Sequence, residues 1–140
     1  MERIVKIFAI ICVFIVGTKV FAEEISVPTQ NTSLTTPQVI SFESCTKKYE
    51  IPVEQLFMLT LASVNANKFK IDEIQSRNGY ILFNGANKQF LISVHRIDNK
   101  SSMLKIVPAN NNYYFPPGII TNIQKYIDLN LTTKIEELNK

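Results

Sequence analysis

The chain has 140 residues, with 15 Lys and Arg against 12 Asp and Glu for a net charge of +3, and it holds two cysteines and one histidine. That inventory excludes a disulfide-dense scaffold and a histidine-rich metal centre. It also lacks a basic stretch of nucleic-acid character, because Lys47-Lys48 and the Lys68/Lys70 pair are the densest cationic groups.

Residues 1–22 read as a cleavable secretory signal peptide. Arg3 and Lys6 give a positive start, Ile7–Gly17 is an unbroken apolar run, and Val20-Phe21-Ala22 offers compact residues at the −3 and −1 positions before Glu23. The run of 11 residues is too short for a bilayer core that needs about 20. An uncleaved signal anchor is the competing reading, since Val20-Phe21 extends the apolar stretch past Lys19. Cys12 lies inside the run without the small residues that lipid attachment prefers. Cleavage would remove three bases and one acid, leaving a nearly neutral chain with Cys45 as its one thiol and no internal disulfide.

Residues 23–37 read as a flexible linker. Pro28, Pro37 and the polar run Thr29–Ser33 leave only Ile25, Val27 and Leu34 to bury, too little to offset the entropy of ordering. Residues 38–140 then form a single domain. Val39–Phe42 and Tyr49–Ile51 are short apolar pieces, expected as irregular structure or an edge strand. A helix is expected over 52–67, opened by Pro52 and Glu54, with Val53, Leu56, Phe57, Thr60, Leu61 and Val64 as its buried stripe.

Four antiparallel strands are expected within 68–108. Asn78-Gly79 carries the signature of a two-residue type I′ hairpin, Asn84–Asn87 is the next turn, and 89–98 alternates most clearly. Ala109–Gly118 is a loop by composition. A second helix over 117–131 has Ile120, Ile123, Ile127 and Leu131 on one stripe, and the tail 132–140 either extends it or frays. The resulting class is α+β: helix, antiparallel four-stranded meander, helix, with the helices packed on one sheet face. The expected core is Leu56, Phe57, Leu61, Ile81, Phe90, Ile92, Val94, Ile106, Ile123 and Ile127.

The frame Ile51–Phe57, Gly79-Tyr80-Ile81 and Leu104–Pro108 resembles small exported bacterial envelope proteins with a helix–meander–helix domain of the BamC type, over roughly residues 49–131. The resemblance implies an envelope protein. It carries no functional residue across, because the matching positions are core positions and the lipid-bearing cysteine is missing.

Candidate chemistry is sparse. His95 lacks neighbours that would complete a metal site. Cys45 with His95 is the minimum for a thiol nucleophile and its base, yet Phe42–Lys47 matches no nucleophile motif. Asp72-Glu73 are strand neighbours and point to opposite faces. Three Asn-x-Ser/Thr sequons, at Asn31, Asn99 and Asn130, are expected by chance in so asparagine-rich a chain.

The distinctive feature is the loop Asn110–Phe115. Asn111 supplies amide donors and acceptors, and Tyr113, Tyr114 and Phe115 supply apolar area with polar tips, the mixture of a recognition loop. The alternative is a lid, with the aromatics folded back onto the sheet. The expected function is a non-catalytic binding or assembly module of the bacterial cell envelope, exported to the periplasm or beyond. It would work without cofactor or metal. Its partner would be an envelope protein, a peptide or a glycan, with no nucleic acid and no membrane span after signal cleavage. The competing readings are a small secreted thiol enzyme using Cys45 and His95, and a signal-anchored membrane subunit.

Overall fold

Period-two burial builds the sheet. In the computed structural model, which describes residues 34–138, the signal peptide and most of the linker expected from sequence lie outside the described residues. In chain order the elements are β1 (Gln38–Val39), β2 (Thr46–Tyr49), α1 (Val53–Ala66), β3 (Lys70–Gln75), β4 (Tyr80–Gly85), β5 (Lys88–Arg96), β6 (Ser102–Pro108), β7 (Tyr114–Phe115) and α2 (Gly118–Leu138). Ile81 and Phe83 on β4, Phe90, Ile92 and Val94 on β5, and Leu104 and Ile106 on β6 are buried, while their strand neighbours are largely exposed or half-buried. The register lines these residues up as rows: Ile81 opposite Ile92 opposite Ile106, and Phe83 opposite Phe90.

The class is α+β, with two helices and an antiparallel sheet. The sheet has five strands in the order β2-β6-β5-β4-β3, where four were expected. β3 to β6 pair consecutively, and β2 adds the fifth strand on the outer side of β6, with Thr46 opposite Lys105 and Tyr49 opposite Ser102. The sequence Thr-Lys-Lys-Tyr hides this strand, since only Tyr49 of the four is buried. Lysines suit such an edge because they discourage further pairing. β1 and β7 form a separate two-stranded ribbon.

The tight turn sits elsewhere than expected. A 3₁₀ turn over Ser76–Asn78 and the left-handed Gly79 connect β3 to β4, a four-residue link in place of a two-residue hairpin. The two-residue link is Ala86-Asn87, whose φ values of 48° and 60° give the type I′ requirement of two positive φ angles between the paired Gly85 and Lys88.

α1 runs within a residue of expectation at each end. Leu56, Phe57, Thr60, Ser63 and Val64 are buried, while Leu61 is half-buried on the flank of the core. Ser63 takes the interior place because its Oγ donates to the Ile123 carbonyl at 3.1 Å, a contact only a small side chain permits between helices. The helix closes on a Schellman motif. Phe69 N donates to Val64 O at 3.1 Å and Lys68 N to Asn65 O at 2.9 Å, with Lys68 left-handed at φ 58°. α2 continues past Leu131 to Leu138 and buries Ile119, Ile120, Ile123 and Ile127. Both helix stripes and the inner face of the sheet belong to one hydrophobic cluster.

Candidate functional site

Loop 109–113 is held by its own side chains. Asn110 Oδ1 accepts from Asn112 N at 3.1 Å, and Asn112 Oδ1 accepts from Tyr114 N at 3.0 Å, the side-chain turn chemistry that asparagine favours. Asn111, exposed between them, takes a left-handed φ of 54°. Chain direction is then fixed by β7, where Phe115 pairs with Gln38 and Tyr114 with Val39, and Ile40 N donates to Tyr113 O at 2.9 Å. Lys88 Nζ donates to Tyr114 O at 2.7 Å, which ties the ribbon to the start of β5.

Alternation along β7 divides the aromatics. Phe115 is fully buried, edge-on to Phe90 with ring centres 5.0 Å apart. Tyr113 is half-buried against the core and meets Phe42 edge-on at 6.3 Å. Tyr114 points away, 55% exposed, opposite Val39 at 81%. The loop is therefore both lid and display: Phe115 caps the sheet, and Tyr114 stands outside it. The sequence marks Val39–Phe42 only as a short apolar piece; Ile40 enters the core, while Val39 and Phe42 stay exposed as neighbours of this loop.

Beside β1 lies a hollow of about 540 Å³ lined by Gln38, Val39, Ser41, Ser44, Thr121 and Gln124 among others, with no charged side chain in its lining. Ser41 and Ser44 share a hydroxyl bond of 2.8 Å, and Gln124 Nε2 donates to Ser44 O at 3.2 Å. The hollow beside β1 thus offers uncharged donors and acceptors.

Cys45 and His95 are not brought together. Cys45 is buried in the core, its thiol aimed at Ser41 O at 3.5 Å, and burial pushes its pKa up, away from the thiolate. His95 alternates with the buried Val94 onto the opposite, exposed face of β5, where its ring meets Tyr80 edge-on at 6.4 Å. The sheet stands between thiol and imidazole. Asp72 accepts from Asn84 Nδ2 and, at 2.9 Å, from Gln89 Nε2, so it is engaged in strand-to-strand bonds.

At the β2 edge Lys47 Nζ bridges both oxygens of Asp128 at 2.6 and 2.8 Å and lies 5.2 Å from the Tyr49 ring centre. Burial, and then the Asp128 carboxylate, hold the Tyr49 hydroxyl well above its ordinary pKa. Among the described residues no group of three or more His, Cys, Asp or Glu is placed to hold a metal, and no helix is long and apolar enough to cross a membrane. Comparison with protein-family models and with curated protein sequences finds no match.

Proposed function

We propose that this chain is a non-catalytic exported binding or assembly module of the bacterial cell envelope, and that it takes a protein segment at the β1–β7 ribbon. The observation that carries the reading is the exposed Val39–Tyr114 pair, held on a ribbon whose next residue, Phe115, is locked in the core. Tyrosine on a rigid support gives large contact area at small entropic loss. The uncharged hollow beside β1 suits backbone amides, which present donors and acceptors without net charge. The signal-like first 22 residues and the likeness of the 49–131 frame to BamC-type proteins support the envelope location.

Two measurements test this. The exported form should have the intact mass of a chain beginning at Glu23, whereas an uncleaved mass would favour the signal-anchored subunit. Crosslinking in envelope fractions should give a defined adduct with the native chain. Tyr114→Ala should lose that adduct at an unchanged melting temperature. Equal crosslinking by Tyr114→Ala would remove the ribbon from the proposal.

A further inference from the structure

A second cleft opens at the far end of β5 from Phe90, on which the ribbon rests. It measures about 510 Å³, within the range of small-molecule sites. Val53, Phe57 and Met58 from α1 and Val94 from β5 supply its apolar wall, and Arg77, Asn78 and Gly79 of the β3–β4 turn supply its polar rim. Met58 is 63% exposed, a large apolar side chain that the fold itself does not use.

The charges in this cleft are unbalanced. Arg96 is bonded to Glu54, the one carboxylate of the lining, whereas Arg77 has no ion pair among the described residues. The first turn of α1 also borders the cleft, through Val53 and Glu54. A wall of Val, Phe and Met with an unpaired guanidinium at its rim is complementary to a molecule with an apolar body and one negative group.

We propose that this cleft binds a small apolar carboxylate, such as a medium-chain fatty acid. Arg77 takes the carboxylate, and Val53, Phe57, Met58 and Val94 line the chain. The Glu54 carboxylate does not oppose this, because Arg96 neutralises it. The site is independent of the ribbon.

Decanoate is the probe, titrated into the full mature chain and followed by two-dimensional amide spectra, with decanol as its uncharged counterpart. Decanoate should shift the amides of residues 53–58, 76–79 and 94–96 saturably, and decanol should bind about tenfold more weakly or worse. Arg77 lies in an exposed turn, so Arg77→Gln should keep the native spectrum, lose about tenfold in decanoate affinity and retain its decanol affinity. Absence of saturable shifts, shifts confined to other regions, or equal decanoate affinity in Arg77→Gln would each overturn the proposal.

Discussion

At the scale of single residues, positive φ angles decide several outcomes. Gly79 sits at φ 69°, and a Cβ placed there would lie 2.4 Å from the Val94 carbonyl oxygen, whose residue also donates its N–H to Gly79 O at 2.9 Å. Gly79→Ala therefore combines left-handed strain with a backbone clash. Its denaturation free energy should fall by about 2 kcal/mol or more. Lys68 is the converse case, a β-carbon-bearing residue at the left-handed position of the α1 Schellman motif. Lys68→Gly should gain about 0.5–1 kcal/mol in urea melts, the relief of strain exceeding the added chain entropy. Tyr49 sets an alkaline limit. Its pKa rises in the fold above the ordinary 10.0, so the folded state favours the protonated phenol. The stability this supplies is complete below pH 10 and is lost as pH climbs from there toward the folded value. Tyr49→Phe should flatten that alkaline decline relative to the native chain.

At the scale of elements, the helices were legible because Leu56, Phe57, Val64, Ile120, Ile123 and Ile127 recur at helical spacing around proline starts. What spacing alone does not carry is which flank of a broad stripe meets a neighbour. Leu61 falls at the margin and Ser63 at the centre, because Ser63 bonds the Ile123 carbonyl across the helix pair. Leu56→Ala, at a fully buried site, should cost about 2–5 kcal/mol in chemical denaturation. Leu61→Ala, half-buried, should cost about half as much. β2 was illegible for a different reason. Lys47 and Lys48 break its apolar pattern, and its pairing with β6 is a long-range fact no local window contains. The division of the loop aromatics follows from β7 pairing with β1, which fixes alternate side chains to opposite faces. Asn78-Gly79 misled by dipeptide identity, whereas Ala86-Asn87 took the tight turn because register left it only two residues.

At the scale of the molecule, the chain joins a local part to a distant one. β3 to β6 pair with their sequence neighbours, while β2 waits for β6 and β1 for β7. Native-state hydrogen exchange should therefore find the β4–β5 amides slowest and the β1–β7 amides among the fastest, since that ribbon is short and its β1 side is exposed.

That topology has a consequence for the order in which the chain is made. Synthesis delivers β1 and β2 first, yet their partners arrive late, β6 as the last strand of the meander and β7 immediately before α2. Loop-closure cost makes such distant pairings late events in folding. During elongation β1 and β2 remain unpaired and threadable, and the fold can close only once β6 and β7 have emerged.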